Sequence, residues 1–397
     1  MLGWRLGLER MRRLCSLLGM PQNRFASIHV VGTNGKTSVT LMTAALLEAQ
    51  GVPAGAYISP HIRDWRERIV IRGEPISEEA FDAALERTEE AAEVADRSAG
   101  DDGPVTQFEL LSAAAFVAFA EAKVSYAVIE AGLGGRLDAT NVIPSQLTVL
   151  TSVGLDHTEY LGDTLEEIAA EKLAVLRDHT PLITGDVPAE VDAVVDQEVE
   201  RHHSQRLAVG IDGATGYQDR NFGLAWAAGQ TVLGGFKTDP TQLRKTLSIP
   251  GRAQRIDGDP PVILDAAHNP DGARALSELL PALTEGREVV CCLAVLEDKD
   301  AKGIVGALAG ACSHLICTEV PPEAIEGSGR PGGKSLPAEE LAGLCREAGA
   351  EAEAIPDVTQ AWERARELAR ERDAVALAAG SHYLLASIWT GRPDRSS

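Results

Sequence analysis

Short apolar, β-branched runs alternate with amphipathic stretches along most of the chain. SIHVVG (27–32) precedes a helical pattern from Lys36 to Gln50, AGAYIS (54–59) follows, and a long helix opens at Ser77. Ser77 suits an N-cap, because its hydroxyl can accept from free N–H groups, and Glu78 and Glu79 meet the positive end of the helix dipole. That helix ends before the turn-rich RSAGDDGP (97–104), and a second covers about 106–122. VSYAVIEAG (124–132) and LTVLTSV (147–153) are continuously apolar, as central strands covered on both faces must be. The pattern weakens around 205–220, and TLSIPGRAQRIDGDPP (246–261) gathers Pro, Gly and charge without periodicity, so a linker is expected near 250–260. Alternation then restarts with PVILDAA (261–267), EVVCCLAVL (288–296), HLICTEV (314–320) and AVALAAG (374–380), separated by helices after Pro270 and Lys299, up to Gly349 and near 358–372. Strand–helix alternation of this kind predicts two doubly wound α/β domains, 1–252 and 253–397.

The 397 residues include 37 Lys+Arg against 59 Asp+Glu, a formal charge of −22, which argues against nucleic acid as a partner. No apolar run is long enough to span a bilayer, and MLGWRLGLERMRRL lacks the apolar core of a signal peptide, so a cytoplasmic protein with no membrane partner is expected. Six cysteines without a C-x-x-C pair read as reduced core thiols.

The first chemistry-bearing string is GTNGKTS, Gly32-Thr33-Asn34-Gly35-Lys36-Thr37-Ser38, between a β-branched strand and a helix. In that context backbone N–H groups and the helix dipole converge on an anion. Gly32 and Gly35 permit close backbone approach, Lys36 neutralises phosphate charge, and Thr37 or Ser38 offers a hydroxyl to phosphate or metal. The string is shorter than the general P-loop pattern, since Val30 stands where a glycine would be expected, and Asn-Lys-x-Asp, the guanine signature, is missing.

Further strings carry a resemblance. SPHIRDWRERIVIRGEPIS (59–77), FELLSAAAFVAFA (108–120), AVIEAGLGGRLDATNV (127–142), GLDHTEYLGDTLEEIAAEK (154–172), PGRAQ (250–254), LDAAHNP (264–270) and DKD (298–300) occur in an order that covers nearly the whole chain. Together with GTNGKTS they are similar to the folylpolyglutamate synthase/dihydrofolate synthase family of the Mur ligase superfamily. The resemblance implies an α/β fold with an N-terminal P-loop ATPase domain, built on a mostly parallel sheet, and a smaller C-terminal Rossmann-like domain. It implies an ATP-dependent ligase that adds L-glutamate to dihydropteroate, to tetrahydrofolate, or to both. ATP phosphorylates the acceptor carboxylate and the glutamate amine attacks the acyl phosphate. The chemistry is reasonable: a carboxylate has oxide as its leaving group until it is phosphorylated, so the protein's task is alignment and charge neutralisation.

Residue by residue, the resemblance implies that Ser59, Glu130 and His157, each at a strand end, hold Mg²⁺, with room for a second divalent ion and a monovalent cation. Lys172 corresponds to a lysine that family members carbamylate, which would let it join a metal shell; the plain alternative is a solvated lysine near Glu167 or Glu171. Asn221, Arg252 and Asp265 match contacts to the ATP base, phosphate and ribose, with Arg252 reaching back across a cleft that domain closure completes. Arg136 and Asp138 serve the pterin pocket, as do Leu8 and Glu9 of LGLERM, although Asp138-Ala139-Thr140-Asn141 also reads as an Asx turn. His268 approaches the glutamate or the transferred phosphate, and Ser381 takes the amino-acid carboxylate. Lys36, Lys172 and His268 are the candidate catalytic groups. Two departures stand out: Thr37 replaces the family's commoner Gly, and His382 stands where its usual string has Leu.

Small-molecule substrates and a monomer are the implied partners and state. Two competing readings carry less. A ligase acting on a UDP-sugar peptide is expected to have a further domain before the P-loop, and only 31 residues precede Gly32 here. A non-catalytic binding protein would be expected to have lost part of the set Ser59, Glu130, His157, Lys172 and Asp265, all of which are present. A monofunctional folylpolyglutamate synthase remains open beside the bifunctional one.

Overall fold

The structure, a computed structural model, describes residues 7–97, 103–185, 187–209, 216–327, 330 and 332–389. Among these the chain forms two compact units, one of residues 7–209 with 218–247, the other of 216–217 with 248–389.

The first unit is built on eight strands: β1 (Ala26–Val31), β2 (Ala54–Tyr57), β3 (Ile69–Ile71), β4 (Glu74–Pro75), β5 (Tyr126–Glu130), β6 (Leu147–Leu150), β7 (Leu182–Thr184) and β8 (Arg206–Ala208). Their order is β4-β3-β2-β5-β1-β6-β7-β8, parallel from β2 to β8, with β3 and β4 added antiparallel at one edge. Strands β1, β2 and β6 are wholly or almost wholly buried because helices cover both faces, as a parallel sheet requires. On one face Tyr57, Phe116, Phe119 and Ile129 pack with residues of the helices Glu9–Leu17, Glu78–Asp96 and Gln107–Glu121; on the other, Val31 and Leu150 pack with Ile168, Leu173 and Val195. The expected cap forms at Ser77, whose Oγ accepts from Ala80 N, and Thr106 and Glu109 add a reciprocal capping box that the sequence reading did not name.

The second unit has β9 (Gln254–Ile256), β10 (Val262–Leu264), β11 (Val289–Leu293), β12 (His314–Cys317), β13 (Ala352–Ala354) and β14 (Val375–Ala379) in the order β13-β12-β11-β14-β10-β9, with only β9 antiparallel. All six cysteines are buried free thiols, five of them in this unit.

Three places differ from the pattern read along the sequence. The weak stretch 205–220 holds the edge strand β8 and the start of a long helix, Tyr217–Leu233; an edge strand of three residues and a helix that opens on polar residues leave little periodicity to read. The segment read as linker contains β9, and residues 248–252 cluster with the second unit. The β3–β4 hairpin was not expected, since its strands are too short to show alternation. No helix among the described residues is long and apolar enough to cross a membrane.

Candidate active site

β1 ends at Val31, and the backbone turns through Gly32 at φ 151° and Gly35 at φ 87° into the helix Lys36–Ala49. Both positions demand glycine. A Cβ on Gly35 would lie 2.6 Å from Asn221 Oδ1, and one on Gly32 would meet Thr151 and the backbone of Ser152. No side chain caps the helix at Gly35, so the orphan N–H groups of its first turn are available to an anion. Thr33 and Asn34 are also tied to the sheet: Thr33 N donates to Ser152 O, Asn34 N to Ser152 Oγ at 2.9 Å, and Thr151 Oγ1 to Asn34 O at 2.6 Å. These bonds latch the loop to the end of the neighbouring strand β6. Thr151 and Ser152 escaped the sequence reading, although a Thr-Ser pair ending an apolar strand was the available signal.

Glu130 ends β5, next to β1 in the sheet, and is only 2% exposed. Its carboxylate accepts from Thr37 Oγ1 at 3.0 and 3.1 Å and from Ser59 N at 3.2 Å. A buried carboxylate beside a P-loop hydroxyl offers hard oxygen donors that fit a divalent cation, while Ser59 meets it through its backbone N–H. His157 stands at the N-cap position of the short helix Thr158–Leu161 at φ 52° without a side-chain cap, its backbone N–H donating to Asp156 Oδ1 at 3.0 Å. Among the described residues no group of three or more His, Cys, Asp or Glu is placed to hold a metal; the candidate set, which includes a serine, is not of that composition.

Lys36 Nζ donates to the carbonyls of Gly32 and Thr33 at 3.0 and 3.1 Å, and Lys172 Nζ also reaches Gly32 O at 3.0 Å. Lys172 is therefore no solvated helix lysine. It is 4% exposed, while Glu167, one of the partners considered for it, is occupied in a capping box with Thr164. Burial, and then the positive charge of Lys36, push the Lys172 amine down to about 7.

Asp138 lies in the loop 131–142 and is buried. Oδ2 accepts from Leu133 N at 2.9 Å, and Oδ1 accepts from Thr140 N at 3.0 Å and from the Thr140 hydroxyl, so the Asx-turn reading describes its contacts. His29 Nε2 lies 2.8 Å from Thr140 Oγ1; because that hydroxyl gives its proton to Asp138, the imidazole donates. Burial, assisted by Arg177, lowers His29 to about 3. Arg136 pairs with Glu171 at 3.0 Å, and Glu9 is exposed and pairs with Arg12 at 2.7 Å. The sequence reading missed Arg10, beside Glu9, which forms a buried ion pair with Glu109 at 3.0 Å. Leu8 is half-buried at the N-cap of the first helix, and Asn221 is buried against Gly35.

In the second unit Asp265 follows β10 and is a hub. Oδ2 accepts from Ala253 N at 2.7 Å and from the Tyr217 hydroxyl, and Oδ1 accepts from Ala267 N at 2.8 Å. Burial raises its carboxyl above the usual range. Tyr217 was not singled out in the sequence. Arg252 Nη1 donates to Gly251 O at 3.0 Å. His268 Nδ1 lies 2.9 Å from Ala266 O; a carbonyl only accepts, so the Nδ1 proton is fixed there and Nε2 is the basic nitrogen of the neutral ring. Asn269 caps the helix Pro270–Leu283, and Ser381, 2% exposed, caps its own helix His382–Ile388 by accepting from Tyr383 N at 3.1 Å.

A P-loop on a parallel sheet followed by a second α/β unit is the construction of a Mur ligase. The Mur ligase middle domain matches residues 30–225, and the Mur ligase glutamate ligase domain matches 251–382. Dihydrofolate synthase/folylpolyglutamate synthase of Mycobacterium tuberculosis is 36% identical over 78% of this chain and 74% of its own length, and that of Bacillus subtilis is 32% identical over 77% and 79%. Mycobacterium tuberculosis folylpolyglutamate synthase complexed with ADP superposes with a TM-score of 0.87 at 31% identity, covering 98% of this chain and 96% of that one. Escherichia coli FolC in complex with DHPP and ADP superposes with a TM-score of 0.81 at 28% identity, covering 96% and 92%. The chain belongs to the dihydrofolate synthase/folylpolyglutamate synthase family of Mur ligases.

Proposed function

We propose that this enzyme uses ATP to join L-glutamate to the carboxylate of dihydropteroate and of reduced folates. The observation that carries the reading is the uncapped N-terminus of the helix Lys36–Ala49, with the buried Glu130 carboxylate accepting from the Thr37 hydroxyl at its first turn and from the Ser59 backbone N–H. That arrangement suits a polyphosphate with its divalent cation, and the family's name supplies the acceptor. The N–H groups of Gly35 to Ser38 and the Lys36 ammonium hold the phosphates, with Asn221 at the base. Thr37, Ser59 and Glu130, with His157, would hold Mg²⁺. When bound there, such an ion would supply charge neutralisation to the phosphates.

Burial favours the neutral form of the Lys172 amine, the form that reacts with CO₂, so carbamylation is its proposed state and orientation of the ion its role. Arg136, with Leu8 and Glu9, faces the pterin; Asp138, with both oxygens engaged, acts there by shaping the loop. In the second unit Arg252 and Asp265 are the proposed phosphate and ribose contacts. His268 presents Nε2 to the glutamate ammonium, which must lose a proton before its nitrogen can attack. Ser381 and the turn it caps accommodate the amino-acid carboxylate. A cytoplasmic monomer with small-molecule substrates completes the reading.

Glutamate-dependent ADP release with Mg-ATP, measured separately with dihydropteroate and with tetrahydrofolate and checked by product mass, tests it. Turnover with both is the expected result. Turnover with tetrahydrofolate alone would make the enzyme a monofunctional folylpolyglutamate synthase, and silence with both would overturn the acceptor assignment.

A further inference from the structure

His382, the residue that departs from the family's usual leucine, stands where two proposed substrate-facing side chains of the second unit meet. Arg252 Nη2 lies 3.5 Å from His382 Nε2. The His268 and His382 rings are 5.2 Å apart, centroid to centroid, at 49°. A guanidinium only donates, so this contact places a lone pair on His382 Nε2 and the ring proton on Nδ1. A protonated ring would instead set two cations against each other.

We propose that His382 is a positioning residue of the ligase reaction, holding the Arg252 guanidinium through Nε2 and backing the His268 ring, so that one side chain aims two others. The surroundings are suited to the task. His382 is 9% exposed and sits at the first residue of a helix whose N-cap, Ser381, is buried. Asp265 holds Ala253 N at 2.7 Å, in a turn with Gly251 at φ 63° and Ala253 at φ 48°. Arg252 is thus fixed by backbone on either side, and its side chain contacts the Gly251 carbonyl and His382 within electrostatic reach of the Asp265 carboxylate. His268 is likewise tethered through Nδ1 to Ala266 O, with the His382 ring centroid 5.2 Å from its own. Leucine would fill the same space and back the His268 ring, but it offers Arg252 no acceptor.

The inference rests on the roles proposed for Arg252 and His268, and it is tested in two ways. The first compares His382→Leu and His382→Gln in glutamate-dependent ADP release with saturating Mg-ATP. His382→Leu lowers kcat by about tenfold, the scale expected when a contact that aims a reacting group is lost. His382→Gln, whose amide oxygen restores an acceptor, recovers to within about threefold. In the Arg252→Ala background His382→Leu adds little, because the two act as a unit.

Equal kcat and KM in wild type and His382→Leu, or a His382→Gln variant as impaired as His382→Leu, would overturn the proposal and leave the ligase reading standing. The second test needs no turnover: nitrogen NMR of the histidine rings in the free protein reads the tautomer. A proton on Nδ1 of His382, with that preference lost in Arg252→Ala, is the expected result. A proton on Nε2, or on both nitrogens at neutral pH, overturns the proposal even if the ligase assay is silent, and that silence would count only against the proposed substrates.

Discussion

Glu130 is a carboxylate at the end of a buried strand, satisfied by a hydroxyl and an amide. Replacing it with Gln keeps the volume and removes the charge that a divalent cation needs. Glu130→Gln is expected to lower activity by about a hundredfold or more, weaken Mg-dependent nucleotide binding in calorimetry, and leave the melting temperature unchanged or raised. His29 provides a pH signature of its own. Its folded pKa, about 3, lies below the ordinary value of 6.5, so below about pH 6.5 the unfolded chain binds the proton that the folded chain refuses. Stability present above pH 6.5 is therefore lost as pH falls toward 3, with a slope of up to about 1.4 kcal/mol per unit from this residue. Urea denaturation at pH 7.5 and 5 should show a smaller loss for His29→Gln, which retains a donor to Thr140, than for wild type. Lys172 was legible as special only through the string around it; its burial and its contact with the Gly32 carbonyl were not. Lys172→Arg, which cannot be carbamylated, is expected to abolish turnover, and CO₂-depleted buffer should reduce wild-type turnover reversibly, as measured by ADP release.

At the scale of elements, the helices divide by how their N-termini are closed. Those opening after Ser77, Thr106, Thr164, Asn269, Asp300, Asp357 and Ser381 are capped by side chains, whereas those after Leu8, Gly35, His157, Pro188, Gln242 and Pro337 are not, and of these the helix after Gly35 follows the glycine-rich loop. Capping is local, and Ser77 was read correctly from sequence for that reason. The tie between the first helix and Gln107–Glu121 is not local: Arg10 meets Glu109 across 99 residues, and Glu109 also closes its own capping box. Glu109→Ala leaves a buried guanidinium without its carboxylate and opens the cap. It is expected to destabilise this unit by about 3–5 kcal/mol, measured by thermal unfolding, with Glu109→Gln less severe.

At the scale of the molecule, two sheets carry separate hydrophobic clusters, and two unfolding units are the expectation. Differential scanning calorimetry is expected to depart from two-state behaviour, and a Mg-nucleotide analogue should raise the transition of the P-loop unit by an amount that grows with its concentration and disappears in Glu130→Gln. By itself the sequence determined what nearest neighbours decide: the alternation of strands and helices, the glycines of GTNGKTS, the caps, and the strings that carry the family. Only the tertiary structure decided which distant groups meet: Thr37 with Glu130 across 93 residues, Lys172 with Gly32 across 140, Arg252 with His382 across 130. The physical reason is that periodicity records which face of an element is buried but not which element lies beside it. The order β2-β5-β1-β6 sets the ends of those strands side by side, and the burial that results, absent from any local pattern, is what drives Lys172 down to about 7.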